Sequence, residues 1–161
     1  MSFIFDQLDH DSFMRHALEE AEQAGFAGEK PIGAVIVHNN RIISKGRAQH
    51  LTRESNVAHA EMNALIQAER YLYVNASDGC VLYTTVEPCV MCLGAIVMSN
   101  IRHIVFAISD KWMLPGGMLQ IDYVHRHVHN YLSGVLVADS IKLWSRFRPQ
   151  ELPIVLEGRR P

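Results

Sequence analysis

Apolar residues near the N-terminus recur at the spacing of a helix. Between residues 9 and 24 they return every three or four positions, as on the buried face of an amphipathic helix, and Gly25 is a candidate stop. The same reasoning predicts later helices over residues 58–72, 89–99 and 140–148. Pro149 is expected to end the last of them, because proline lacks the N–H that a helix requires.

Short β-rich runs predict the strands. Residues 33–37 and 42–45 flank a polar stretch at 38–41, which is typical of a hairpin, and residues 81–86 and 103–108 form two further runs. The fifth strand is either 126–132, the alternative we favour, or 135–138. Helices and strands that alternate in this way predict an α/β fold in which a mixed sheet is flanked by helices.

Composition and charge narrow the class of protein. A chain of 161 residues that is 48% hydrophobic is expected to form a single domain over residues 1–161. Its apolar runs are far shorter than the ~20 residues of a membrane helix, and residues 1–9 do not resemble a secretion signal. We therefore expect a cytoplasmic protein with no membrane partner. The net charge of −2 provides no overall attraction to phosphate backbones.

Two short motifs carry the candidate chemistry. His59 and Glu61 open one predicted helix, and Cys89 and Cys92 follow Pro88 at the start of another. Cysteines three positions apart lie on one helix face, so both thiolates can hold one zinc ion with His59 as the third ligand. Three protein ligands leave a coordination position open for water, which is typical of catalytic zinc and yields a hydroxide nucleophile near neutral pH. Glu61 is then placed to move protons.

A C-x-x-C pair by itself is a modest signal. It also occurs in redox sites, in four-ligand structural zinc sites and as two buried core cysteines. Cys80 is the one other cysteine, so a structural site would lack a clear fourth ligand, and three cysteines cannot all pair. None of these three alternatives gives both His59 and Glu61 a role. We therefore favour catalytic zinc in a reducing compartment.

The combined motifs resemble the cytidine deaminase-like superfamily, whose zinc deaminases carry H-x-E and P-C-x-x-C. The resemblance covers nearly the whole chain and is strongest to the branch of tRNA adenosine deaminase, guanine deaminase and fungal cytosine deaminase. The matching blocks are PIGAV at residues 31–35, AHAEMNAL at 58–65 and LYTTVEPCVMC at 82–92, with a weaker match at 134–136.

The resemblance implies both a fold and an activity. The fold is a three-layer α/β/α arrangement around a five-stranded mixed sheet whose last strand is parallel to its neighbour. The expected assembly is a homodimer. The activity is zinc-dependent hydrolysis of a C–N bond in a cyclic amidine, which releases ammonia, with Glu61 as proton carrier. Ile32 and Ala60 would line the base pocket, and the Glu87 carbonyl would face the leaving amine. The candidate substrate contacts are Ile32, Ala48, Ala60, Glu87, Pro88 and Trp112.

Three departures from these relatives guide the choice of substrate. Ala48 stands where they carry an asparagine that contacts the base, residues 110–115 replace a Lys/Gly/Ser-rich stretch, and Pro149 precedes the place of a basic tail. A chain near neutral charge without that tail is expected to bind RNA poorly. The sequence therefore favours a free nucleobase, nucleoside or small amino-heterocycle. Adenosine-to-inosine deamination of tRNA is the alternative.

Other readings stay open at this stage. A catalytically silent deaminase-like binding subunit is disfavoured because Glu61 is intact. His125, His127 and His129 alternate along the favoured fifth strand. We disfavour a second metal there, and one of these histidines or Tyr123 is instead a candidate for the pocket mouth. Trp112, in a predicted loop, is a candidate for stacking on a planar substrate.

Overall fold

A computed structural model describes residues 3–159 and contains a five-stranded mixed sheet in the order β2-β1-β3-β4-β5. In chain order, the strands are β1 Gly33–His38, β2 Arg41–Arg47, β3 Val81–Val86, β4 His103–Ile108 and β5 Asn130–Leu132. β1 is antiparallel to β2 and β3, whereas β3, β4 and β5 are mutually parallel. The expected mixed sheet with a parallel last strand is confirmed.

Seven α-helices are found among the described residues: α1 His10–Phe26, α2 Ala60–Gln67, α3 Glu69–Asn75, α4 Val90–Met98, α5 Asp122–His127, α6 Val137–Phe147 and α7 Leu152–Glu157. Phe5–Gln7 and Pro115–Gln120 are 3-10 helices. Over residues 3–159, no helix is both long and apolar enough to cross a membrane.

The helices cover both faces of the sheet, and β1 shows how the sequence assigns each face. Ala34 and Ile36 pack into a core cluster that contains residues of α2 and α4. Val35 and Val37 point to the other side, into a cluster with Met14 of α1. Because successive strand residues face opposite ways, an unbroken apolar strand indicates burial on both sides. The predicted three-layer arrangement is confirmed.

The structure corrects several helix boundaries. α1 continues through Gly25, which packs against Phe147 so closely that an added Cβ would lie 2.3 Å from its ring. The helix predicted over 58–72 is divided at Ala68 into α2 and α3, and Leu65 and Leu72 join the same core cluster from either side of the break. α6 begins at Val137, earlier than predicted, and α7 was not foreseen. Packing between residues far apart in the chain decides these boundaries, and a local sequence pattern does not contain that information.

The fifth strand lies within the favoured range 126–132 but includes only Asn130–Leu132. The competing range 135–138 is wrong, because Val137 starts α6. His125 and His127 belong to α5, so the idea that they alternate along a strand is also wrong. β5 is short because it pairs with β4 only from His103 to Val105.

Gly46 sets the contact between β2 and α2, and its replacement is expected to destabilise the protein. A Cβ at Gly46 would lie 2.1 Å from the Ala60 carbonyl oxygen and 2.5 Å from the Ala64 backbone nitrogen. Gly46→Ala should therefore lower the free energy of unfolding by about 1–3 kcal/mol or more, as measured by urea denaturation. Gly94→Ala is the matched control, since nothing lies within 4 Å of a Cβ at that position in α4. An unchanged midpoint in Gly46→Ala would contradict this packing.

The burial of His103 is expected to make the free energy of unfolding depend on pH. The side chain is 8% exposed and its Nδ1 lies 2.7 Å from the Asn130 Oδ1. Burial lowers the pKa of His103 below its ordinary value of 6.5, although the Asn130 contact opposes this. The unfolded chain therefore takes up the proton first, and the stability contributed by the neutral ring is lost as pH falls through about 6.5.

The measurement compares wild type with His103→Asn by urea denaturation at about pH 8 and about pH 5.5. We expect a smaller loss of unfolding free energy at the lower pH in the variant. Wild type and His103→Asn carry the same metal ligands, so any loss of metal at the lower pH affects both proteins and cancels in the comparison. Equal losses in the two proteins would refute the assignment to His103.

Candidate metal centre and adjoining cavity

One edge of the sheet gathers segments that are distant in sequence. β3 and β4 are parallel, so both of their carboxyl ends reach this edge. Because β1 is antiparallel to β3, the start of β1 lies at the same edge, and β2 ends there in turn. The residues that follow β2, β3 and β4 therefore meet those that precede β1.

The first turns of α2 and α4 also lie in this region. His59 is the N-cap of α2 and Cys89 is the N-cap of α4, each with extended backbone, so that each helix starts at a candidate ligand. Helix N-termini carry a partial positive charge, which favours thiolate over thiol. Pro88 is buried directly before the Cys89 cap, at the start of the helix, as the sequence predicts.

His59, Cys89 and Cys92 come together as predicted. Their ligand atoms all lie within 4.8 Å of one another, and the His59 Nδ1 is 3.5 Å from the Cys89 Sγ. Zinc binds nitrogen at about 2.0–2.1 Å and sulfur at about 2.3 Å, so tetrahedral geometry separates the two atoms by roughly 3.5 Å. The donor set and its spacing therefore fit zinc. Among residues 3–159, no other group of this kind is found, and Cys80 is buried apart from it.

The two cysteines differ in acidity. A hydrogen bond from Cys92 lowers the pKa of Cys89 to about 4, with a further contribution from His59. The same hydrogen bond, together with burial, raises the pKa of Cys92. The Cys92 backbone N–H also donates to the Cys89 Sγ at 3.5 Å. Cys89 is thus a thiolate near neutral pH, the form that binds a metal.

Glu61 is buried beside this cluster. Its side chain is 4% exposed, and its Oε1 accepts a hydrogen bond of 2.8 Å from the Thr84 hydroxyl on β3. Burial raises the pKa of Glu61, although the hydrogen bond from Thr84 opposes the shift. A carboxylate with a raised pKa holds a proton more readily, so it is suited both to accept a proton and to pass it on.

A cavity of about 260 Å³ adjoins the candidate ligands. Pockets for drug-sized ligands typically measure about 300–1,000 Å³, so this volume suits a single heterocyclic ring system. The cavity is lined by Lys30, Ile32, Ala48, His50, His59, Ala60, Glu61, Val86, Glu87, Cys89, Asp110 and Met113.

Four of the six predicted substrate contacts line this cavity: Ile32, Ala48, Ala60 and Glu87. Pro88 is not among the lining residues. Trp112 lines a neighbouring cavity of about 280 Å³ that also includes Trp144, whereas Met113 lines the first cavity. The stacking role of Trp112 remains a prediction.

Sequence reasoning missed five lining residues, which are Lys30, His50, Val86, Asp110 and Met113. Asp110 and Met113 lie in the segment that departs from the resembled family, so that departure was a usable signal. His50 is two positions from Ala48, another usable signal. Lys30 carried no local signal, because it reaches the cavity only through the antiparallel placement of β1.

Glu87 ties two walls of the cavity together. Its Oε1 accepts a hydrogen bond of 2.9 Å from the Tyr131 hydroxyl, and its Oε2 accepts one of 2.9 Å from the Asp110 backbone N–H. The Asp110 Oδ1 in turn accepts from the backbone N–H groups of Trp112 and Met113, at 2.9 and 3.0 Å. These bonds hold the segment after β4 against the residue that precedes Pro88 and Cys89.

Comparison with known proteins agrees with this geometry. The family described as the cytidine and deoxycytidylate deaminase zinc-binding region matches residues 7–108, more than half of the chain. A tRNA-specific adenosine deaminase of Bacillus subtilis (strain 168) is 36% identical over 138 residues, which cover 84% of this chain and 86% of that protein.

Solved structures show the same relationship. A structure from work on A-to-I editing by tRNA:A34 deaminases at the wobble position has a TM-score of 0.74 and 31% identity, covering 82% of this chain and 98% of its own. Guanine deaminase from Bacillus subtilis has a TM-score of 0.59 and 34% identity, with coverage of 71% and 72%. The chain therefore belongs to the zinc-binding cytidine and deoxycytidylate deaminase family and is a hydrolytic, zinc-dependent deaminase.

Proposed function

We propose that this chain deaminates adenosine in tRNA to inosine, with zinc held by His59, Cys89 and Cys92. The observation that carries the deaminase chemistry is the meeting of these three ligands beside the buried Glu61 carboxylate. The choice of tRNA rests on the relatives, because a tRNA-specific adenosine deaminase matches 84% of the chain. This reverses the preference drawn from sequence, which placed a free base first.

The proposed mechanism assigns proton transfer to Glu61. When bound, zinc supplies a Lewis acid that lowers the pKa of water to about 7. The Glu61 carboxylate takes a proton from the attacking water and delivers it to the ring nitrogen next to the amino-bearing carbon. It then takes the remaining proton from the hydroxyl added to that carbon and passes it to the amine, so that the C–N bond breaks, the carbon becomes a carbonyl and ammonia leaves. The Thr84 hydroxyl keeps Oε1 oriented, so that the same carboxylate can serve both transfers.

The cavity favours entry of one base at a time. Its volume of about 260 Å³ accommodates a ring system but not a stacked nucleotide pair. An adenosine within a tRNA loop must therefore leave the stack and enter the cavity, as in other enzymes that act on a nucleobase. Lys30 lines the cavity and is partly exposed, so its ammonium would have to exchange the Glu151 carboxylate, 3.4 Å away, for a phosphate near the mouth.

A second candidate is a free nucleobase, nucleoside or small amino-heterocycle. One specific observation favours it: Ala48 lines the cavity with a methyl group, which cannot hydrogen-bond to a base. The net charge of −2 adds to this, because RNA binding draws much of its affinity from neutralised phosphates. A homodimer, a single domain over residues 1–161 and a cytoplasmic location also stay as proposals.

The experiment measures both activities with the same zinc-loaded protein. Inosine formation is followed in tRNA that carries adenosine in the anticodon loop. Ammonia release is followed with adenine, guanine, cytosine, adenosine and cytidine. Activity on tRNA alone supports the first candidate, and activity on small molecules alone supports the second. No turnover of any substrate would refute both and leave the catalytically silent binding subunit.

A further inference from the structure

Most polar side chains that line the cavity already have partners. Both Glu87 carboxylate oxygens accept hydrogen bonds, from Tyr131 and from the Asp110 backbone. The Asp110 Oδ1 holds two backbone N–H groups, and the Glu61 Oε1 holds the Thr84 hydroxyl. The Lys30 ammonium lies 3.4 Å from a Glu151 carboxylate oxygen. These groups shape the cavity, but most of their hydrogen-bonding capacity is used within the protein.

His50 differs from these residues. Its half-buried ring lines the cavity, and no hydrogen bond to either ring nitrogen is found within residues 3–159. The ring lies edge-on to His59, with ring centroids 4.7 Å apart and an interplanar angle of 62°. A neutral imidazole offers one donor and one acceptor. His50 thus brings unused hydrogen-bonding capacity next to a metal ligand.

A buried anion fixes the backbone that carries His50. The Glu29 side chain is 1% exposed. Its carboxylate accepts hydrogen bonds from the Leu51 N–H at 3.1 Å, the Thr52 N–H at 2.7 Å and the Thr52 hydroxyl at 2.9 Å. The His50 carbonyl also accepts from the Ser55 N–H at 2.9 Å. A side chain on a loop held this way is preorganised for contact with a ligand.

We propose that His50 determines substrate specificity by hydrogen-bonding to a ring nitrogen or carbonyl on the edge of the bound heterocycle. The inference rests on the proposed function, since it assumes that the cavity takes the base. Ala48 lines the same cavity and leaves room for this contact, because its side chain is a single methyl group. The ligand class is a planar amino-heterocycle with a donor or acceptor on the edge facing His50.

Three substitutions separate hydrogen bonding from ring packing. His50→Ala removes both, His50→Phe keeps an aromatic edge against His59 without a nitrogen, and His50→Gln keeps a donor and an acceptor. His16→Ala is the control, because that partly exposed histidine of α1 pairs with Glu19 and is not among the residues that line the cavity. Zinc content is measured for every variant, so that loss of metal is not mistaken for loss of substrate contact.

The readouts are kcat/KM on the substrate that wild type prefers and its ratio to the next-best substrate. Both kcat/KM and this ratio should fall roughly tenfold or more in His50→Ala and His50→Phe, because each variant loses a hydrogen bond in a desolvated site. His50→Gln should stay within about threefold of wild type, because its amide can replace the bond. Wild-type values in His50→Phe, or a loss that follows zinc content, would overturn the proposal.

The test separates this inference from the proposed function. The wild-type substrate panel decides the proposed function, and the comparison among variants decides the role of His50. If wild type turns over nothing, zinc-loaded proteins are titrated calorimetrically with adenine, guanine and cytosine. Binding that weakens roughly tenfold or more in His50→Phe supports the role. Equal binding, or no binding of any base, contradicts it.

Discussion

Glu61→Gln is expected to reduce kcat by about 10²–10⁴-fold, the usual contribution of a positioned general acid–base group. The substitution preserves shape and an oxygen that can accept the 2.8 Å hydrogen bond from Thr84, so the fold should be retained. It removes the carboxylate that we propose as the proton carrier. The measurement combines steady-state kinetics with zinc analysis, and zinc content should stay at about one ion per chain.

Thr84→Val is the matched comparison for Glu61→Gln. It removes the hydroxyl that orients the carboxylate but leaves the carboxylate itself, so the loss of kcat should be smaller. If Glu61→Gln retained wild-type turnover with zinc in place, Glu61 could not be the proton carrier. An equal loss in both variants would instead mean that the orientation of Glu61 limits the rate as much as its chemistry.

Replacing a metal ligand should have the second large effect. Cys92→Ala removes a completely buried sulfur from the cluster, so we expect nearly complete loss of zinc. Turnover should fall by about 10³-fold or more, since a catalytic metal contributes several kcal/mol of charge stabilisation. The melting temperature should also fall, because metal binding contributes to folding free energy.

Cys80→Ala is the control, because Cys80 is also completely buried but lies outside the cluster of candidate ligands. It should lose some stability through the small cavity it creates, while keeping about one zinc per chain and normal turnover. Zinc retained in Cys92→Ala at the wild-type level would contradict the ligand assignment. Zinc lost from both variants would indicate that core packing, rather than ligation, controls metal content.

Local patterns in the sequence predicted much of the secondary structure. The apolar runs at Val81–Val86 and His103–Ile108 coincide with β3 and β4, because fully buried strands have a continuous hydrophobic sequence. Boundaries that depend on distant packing were less accessible. A glycine at position 25 is typical of a residue that ends a helix, yet Gly25 lies inside α1. Phe147, more than a hundred residues later in the chain, packs on it there.

The sequence by itself determined the metal chemistry. His59, Cys89 and Cys92 carry the ligand atoms, and the spacing of each motif from its helix start is a local property that a pattern can express. The tertiary structure alone decided what surrounds these ligands. Lys30, His50, Asp110 and Met113 come from segments before β1 and after β2 and β4. They meet because antiparallel and parallel strand pairing brings those ends to one edge of the sheet, and such pairing depends on contacts between residues far apart in the chain.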